Sequence, residues 1–158
     1  MGKKTILLEP SKCTGCGDCE TACSVKRTGI KDPVHSCVHI ISDENGFYLP
    51  IVCMHCSAPP CQAVCPKEAI YRDHELNRVM IDLSRCIGCK MCFAACPFGA
   101  MGFDEDQGLA FKCDLCGGDP ECVKCCEPMA LTYVESLQLP QVQTSAEKFF
   151  EAMRPRAA

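Results

Sequence analysis

The apolar positions of this 158-residue chain fall in short runs of three to six residues, each bounded by polar or turn-forming residues. Runs at 5–8, 38–41, 47–52, 69–72, 79–82, 101–103, 109–111 and 130–135 are the length of short strands. Residues 38–41 and 47–52 flank Ser-Asp-Glu-Asn-Gly, a hairpin signal with Gly46 at the positive-φ position. Residues 69–72 and 79–82 flank 73–78 in the same way, and 101–103 and 109–111 flank Asp-Glu-Asp-Gln-Gly. Between strands stand cysteine-rich loops, each followed by room for one or two helical turns. The pattern predicts strand, cysteine loop, short helix and strand, repeated four times. The last residues differ. Thr144-Ser-Ala-Glu147 is a capping-box sequence, and Ala146, Phe149, Phe150 and Met153 fall at i, i+3, i+4 and i+7 before Pro155. That spacing predicts a short amphipathic helix in a tail over 140–158, either folded back onto its own domain or docked on another subunit.

The repeats matter because of what the loops carry. Four sets of four cysteines occur: Cys13, Cys16, Cys19, Cys23; Cys53, Cys56, Cys61, Cys65; Cys86, Cys89, Cys92, Cys96; and Cys113, Cys116, Cys122, Cys126. The first and third read C-x2-C-x2-C-x3-C, the bacterial ferredoxin spacing for a [4Fe–4S] cluster. The second and fourth keep both outer gaps and lengthen only the middle one. Three thiolates on one tight loop suit three corners of a cubane, and Gly15, Gly17, Gly88, Gly117 and Gly118 let the loop backbone approach it. The fourth thiolate, one helical turn later, faces away from its own loop, and in two-cluster ferredoxins it ligates the neighbouring cluster. Sixteen thiolates therefore predict four [4Fe–4S] clusters and an electron conduit. A structural zinc-binding adaptor is the alternative, since single C-x2-C pairs also bind zinc. Zinc requires neither the third cysteine of C-x2-C-x2-C nor a closing C-x3-C in all four sets.

Two cysteines remain. Cys125 adjoins Cys126, but only Cys126 keeps the closing C-x3-C gap, so Cys126 is the expected ligand. Cys37, at the start of a strand, reads as a small packed hydrophobe. His55, inside Cys53-Met-His-Cys56, is placed to hydrogen-bond near a cluster sulfur or to serve the fold alone. His35, His39 and His74 read as surface or strand residues. Pro66 and Pro97 follow the last cysteine of motifs two and three, where motif one has Ser24 and motif four has Glu127, with proline displaced to Pro128.

Composition supports the metal reading. Cysteine supplies 18 of 158 residues, aromatic residues make up 6% and tryptophan is absent, so metal centres must stand in for much of the core. The formal charge of −4 falls to about −12 once four anionic cluster sites are counted, and no basic stripe suggests nucleic acid. No apolar run is long enough for a secretory or membrane-spanning segment, which together with free thiols predicts a cytoplasmic protein. No nucleophile–base pair, P-loop or G-x-G-x-x-G turn suggests catalysis by this chain.

Cys53-Met-His-Cys-Ser-Ala-Pro-Pro-Cys61 and Cys86-Ile-Gly-Cys-Lys-Met-Cys-Phe-Ala-Ala-Cys-Pro-Phe-Gly-Ala100 resemble motifs two and three of the dimethyl sulfoxide reductase iron–sulfur subunit family. The resemblance covers about residues 5–135. It implies an α+β fold of two bacterial-ferredoxin-like (βαββαβ) halves within residues 1–139. The inner half would span about 50–100 and the outer half 1–49 plus 101–139, followed by the 140–158 tail. The family's wiring pairs motif one with four and two with three. Carried over, Cys13, Cys16, Cys19 and Cys126 would hold one cluster, and Cys113, Cys116, Cys122 and Cys23 its neighbour. Cys53, Cys56, Cys61 and Cys96 would hold the third, and Cys86, Cys89, Cys92 and Cys65 the fourth. The compact Lys112-Cys-Asp-Leu-Cys-Gly-Gly-Asp-Pro-Glu-Cys122 is similar to the small ferredoxin subunits of tungsten aldehyde oxidoreductases and tungsten benzoyl-coenzyme A reductases. That likeness implies a tungsto- or molybdopterin catalytic partner and, in some complexes, a flavin subunit linked to NAD. Formate dehydrogenase, hydrogenase and sulfoxide reductase partners are the alternatives, and self-association that extends the wire is compatible with the design.

Overall fold

A computed structural model describes residues 4–135, so the helix expected near the C-terminus lies outside the described residues. Among the described residues, eight strands form four separate two-stranded antiparallel ribbons. β1 (Lys4–Leu8) pairs with β8 (Leu131–Glu135), placing Ile6 opposite Tyr133. β2 (Val38–Ser42) pairs with β3 (Tyr48–Val52), β4 (Ile70–Asp73) with β5 (Arg78–Ile81), and β6 (Met101–Asp104) with β7 (Leu109–Lys112). Every strand lies within one or two residues of the sequence expectation, because the turns are locally specified. In the β2–β3 turn, Asp43 Oδ1 accepts from the amides of Asn45 at 2.9 Å and Phe47 at 2.8 Å, and Gly46 takes φ +75°.

Helices follow the cysteine loops: α1 (Asp18–Thr28), α2 (Pro60–Ala63), α3 (Met91–Ala95) and α4 (Glu121–Lys124). Three have the expected one turn. α1 runs for 11 residues, longer than expected, continuing through Cys23 and Ser24, whereas Pro66 and Pro97 follow the last cysteine in motifs two and three. Ser24 is fully buried, and its hydroxyl donates to the Ile30 carbonyl at 2.6 Å while accepting from the Asp32 amide at 3.3 Å. The helix ends at Gly29, in the left-handed region at φ +77°, whose amide reaches back to the Val25 carbonyl.

Two-stranded ribbons are marginal alone, so the packing between them decides the architecture. One buried cluster joins Ile6, Val38, Val52, Phe111, Leu115 and Leu131 to Cys19, Cys37, Cys113 and Cys122. A second joins Ile70, Val79, Met101 and Ala110 to Cys61 and Cys92. α1 packs against α4, and α2 against α3. The result is a small mixed α/β ferredoxin-like fold in which cysteines occupy core positions that larger side chains would otherwise fill.

Candidate metal centres

All four cysteine loops share one backbone device. The third residue of each opening C-x2-C is left-handed: Gly15 at φ +72°, His55 at +46°, Gly88 at +67° and Leu115 at +58°. Glycine adopts this without strain, whereas His55 and Leu115 carry a penalty of about 1–2 kcal/mol each. Gly88 is doubly required, because a Cβ there would lie 2.1 Å from the Gly108 carbonyl oxygen.

The closing cysteines share a second device. The amides of Cys65, Cys96 and Cys126 donate to the carbonyls of Gln62, Phe93 and Val123, three residues earlier, at 3.2, 3.4 and 3.2 Å. Their own carbonyls accept from Glu68, Gly99 and Met129 at 3.1, 3.3 and 3.0 Å, and each of those residues has positive φ. Cys126 thus occupies the position of Cys65 and Cys96. Cys125 occupies that of Val64, closing its short helix, with its thiol 3.5 Å from the Cys122 carbonyl. Cys23 departs from the pattern because it lies inside α1.

The thiols gather around cavities. Cys23, Cys113, Cys116 and Cys122 wall a cavity of about 370 Å³, with Cys37, Lys26, Arg27 and Lys112 also on its lining. Cys53, Cys56, Cys61 and Cys96 surround a second, and Cys65, Cys86, Cys89 and Cys92 a third. Of the remaining cysteines, Cys16 lines a hollow with Thr14, Asp18, Glu127 and Pro128, while Cys19 is buried. Burial pushes the Cys19 thiol up to about 12, with the charges of Glu20, Cys125 and Cys16 adding to the shift.

The donor set is the test of what fits. Among the described residues, no three His, Cys, Asp or Glu side chains converge closely enough to hold a single metal ion. Sulfurs spread around the wall of a cavity instead suit a polynuclear core, which presents separate iron corners. Burial, then neighbouring cysteines, pushes Cys61 up to about 11 and moves Cys122 upward too; burial also moves Cys113 upward. A cationic core would relieve such crowding of sulfurs as they ionise. Backbone amides already point at several of them: Cys37 N–H donates to Cys23 Sγ at 3.2 Å, Ala69 to Cys65 at 3.3 Å, and Leu115 to Cys113 at 3.4 Å. Cys37 is buried as expected, but its contact with Cys23 was not legible, because it depends on how β2 meets α1. Hydrogen bonding to Cys37 is the main reason Cys23 is pulled down to about 6.

Lys112 joins two of these cavities, and His55 lines one of them. His55 is buried, and its Nδ1 accepts from the Val79 amide at 2.9 Å. Lys112 Nζ lies 3.4 Å from the same Nδ1 and donates to the carbonyls of Val79 and, at 3.1 Å, Cys113. Burial, and then the charges of Lys112, Arg78 and Arg72, push His55 down to about 3. Lys112 lines both the Cys23 and the Cys53 cavities, a bridging position that no spacing rule reveals.

Comparison with known proteins points the same way. The 4Fe-4S dicluster domain family matches residues 44–136, and a 4Fe-4S binding domain matches residues 10–26. The polyferredoxin-like subunit of the aliphatic sulfonate oxidoreductase of Pyrococcus furiosus is 36% identical over 121 residues, covering 77% of this chain and 70% of that protein. The beta subunit of the NADH-dependent phenylglyoxylate dehydrogenase of Aromatoleum evansii is 35% identical over 145 residues, 88% of this chain, and this chain spans only 32% of its length. Among solved structures, a chain of the active-site complex BamBC of benzoyl coenzyme A reductase superposes with a TM-score of 0.50 at 27% identity, over 95% of this chain and 88% of that one.

Proposed function

The chain belongs to the 4Fe-4S dicluster-domain family, and from that premise we propose that it is a non-catalytic electron-transfer subunit holding four [4Fe–4S] clusters. The observation that carries this reading is the arrangement, among the described residues, of three cavities each walled by four cysteines drawn from two motifs. The ligand sets follow that arrangement: Cys23 with Cys113, Cys116 and Cys122; Cys96 with Cys53, Cys56 and Cys61; and Cys65 with Cys86, Cys89 and Cys92. Cys126, by its equivalence to Cys65 and Cys96, completes the set of Cys13, Cys16 and Cys19. Each cluster, when bound, supplies a one-electron couple whose potential is set by hydrogen bonds, charge and exposure. The chain's own residues supply the sulfur ligands, the amide donors to sulfur and the apolar shell that keeps water from most of them. Cys16 and Cys89 are the exposed cysteines among the described residues. They mark two points at which a partner can approach a cluster.

The partner we favour is a tungsto- or molybdopterin catalytic subunit of the aldehyde oxidoreductase type, with a flavin subunit linked to NAD as the onward acceptor. The compact loop from Cys113 to Cys122 supports it. A benzoyl-coenzyme A reductase setting is the second reading, favoured by the likeness to the BamBC chain. No helix among the described residues is long and apolar enough to cross a membrane, and the free thiols suit a reducing compartment, so we place the complex in the cytoplasm. Metal analysis of the native complex, isolated without oxygen through this chain, tests the partner. Tungsten together with iron supports either tungsten setting, and aldehyde or benzoyl-coenzyme A turnover then separates them. Iron without tungsten redirects the search to molybdenum enzymes or hydrogenases.

A further inference from the structure

His55 carries two unrepaid costs. Its backbone is left-handed at φ +46°, and its Nε2 is buried with no hydrogen-bond partner among the described residues. The partners of Nδ1 define what Nε2 must be. The Val79 amide, 2.9 Å away, can only donate, and so can the Lys112 ammonium at 3.4 Å. Nδ1 is therefore the bare acceptor nitrogen, and in a neutral imidazole the proton then sits on Nε2. A buried N–H donor without an acceptor forfeits its hydration for nothing in return. The ring lines the cavity walled by Cys53, Cys56, Cys61 and Cys96; the side chains of Val79 and Ala100 on its lining offer no acceptor, and those of Met54 and Met101 offer only weakly accepting thioethers. Sulfur is the acceptor chemistry this cavity provides.

We propose that His55 Nε2–H donates a hydrogen bond to a sulfur of the cluster held by Cys53, Cys56, Cys61 and Cys96, with Val79 and Lys112 fixing the tautomer and ring orientation. The inference rests on the cluster assignment of the previous section. A donor to sulfur favours the more negative, reduced state, so His55 raises the potential of this one centre. Lys112 acts differently: it lines two cavities, and its positive charge raises the potentials of both neighbouring centres.

The test is an EPR-monitored redox titration of the anaerobic holoprotein and three variants, with iron counted in each. His55→Phe keeps its iron and moves one cluster only, its reduced-to-oxidised ratio at fixed potential falling about tenfold, or about 59 mV for a one-electron couple. His55→Asn, which keeps an N–H donor and tolerates positive φ, recovers part of that shift. Lys112→Met lowers two potentials. Unchanged potentials in an iron-replete His55→Phe protein would overturn the proposal and leave the cluster reading standing, whereas wild-type protein that binds no iron would remove both. A second measurement serves if the variants do not assemble. In wild-type protein labelled with ¹⁵N-histidine, the reduced state shows a ¹⁵N hyperfine coupling and an exchangeable proton at one cluster, and their absence overturns the proposal.

Discussion

Motifs one and three have identical cysteine spacing and different surroundings. In motif one the last cysteine lies inside an 11-residue helix, and the exposed Cys16 is flanked by Asp18, Thr14 and Glu127. In motif three α3 has five residues and ends before Pro97, and the exposed Cys89 stands among Ile87, Met91 and Phe93, which are 58%, 48% and 51% exposed. Lys90, between them in sequence, pairs with Glu105 at 2.8 Å and lies 4.1 Å from the Phe103 ring centre. Spacing thus sets the cysteine loop, while the length of the helix after it differs between motifs of identical spacing. The surroundings of Cys16 are polar and acidic and those of Cys89 apolar, with the same cysteine spacing beneath.

The comparison can be broken most severely at the ligands. Cys126→Ser removes the closing ligand proposed for the Cys13–Cys16–Cys19 site, so about a quarter of the iron is lost or converted, while Cys125→Ser leaves iron content unchanged. Iron analysis of the two purified proteins decides, and the opposite pattern would reassign the fourth motif.

Exchanging the residues that follow the fourth cysteines comes next. Ser24→Pro removes an interior helix bond at a cost of about 3 kcal/mol or more. It also strips the Ile30 carbonyl and Asp32 amide of their hydroxyl partner, about 1–3 kcal/mol further. The reverse change, Pro97→Ser, falls on an exposed residue and shifts stability by about 0.5 kcal/mol or less. Anaerobic thermal melts compare them, and equal losses would show that Ser24 is no more tightly held than Pro97.

The loop glycines sharpen the contrast further. Gly88→Ala meets a backbone oxygen, whereas Gly15→Ala meets the ring of Tyr48, a side chain able to rotate away. The first change costs about 2–4 kcal/mol from strain and overpacking, and the second about 1–2 kcal/mol. A greater loss at Gly15 on the same melts would mean that Tyr48 is locked. The smallest effect belongs to the apolar surface: Ile87→Ser with Phe93→Ser changes the melting free energy by about 0.5 kcal/mol or less per site. A larger drop would make those side chains part of the fold.

Much of this was legible in the chain. The three hairpin turns carry Gly46, Asn77 and Gly108 at positive φ, and the strands beside them follow from local residue preference. Cysteine spacing located the loops, and Cys126 was separable from Cys125 by spacing before the shared backbone turn gave a second reason. The length of α1 was not legible, since it depends on Ser24 finding Ile30 and Asp32 across a loop. Nor were the left-handed backbones at His55 and Leu115, which local preference opposes. The reach of Lys112 to Val79 and Cys113 follows from how two ribbons meet, which no single-sequence pattern encodes.

The central claim is tested most directly by counting iron, acid-labile sulfide and zinc in the full chain purified without oxygen. The account predicts about sixteen irons and sixteen sulfides per chain, with zinc absent, in line with four cubanes of four irons each. Stoichiometric zinc, or iron at no more than about half that number in protein whose cysteines are all reduced, would contradict it.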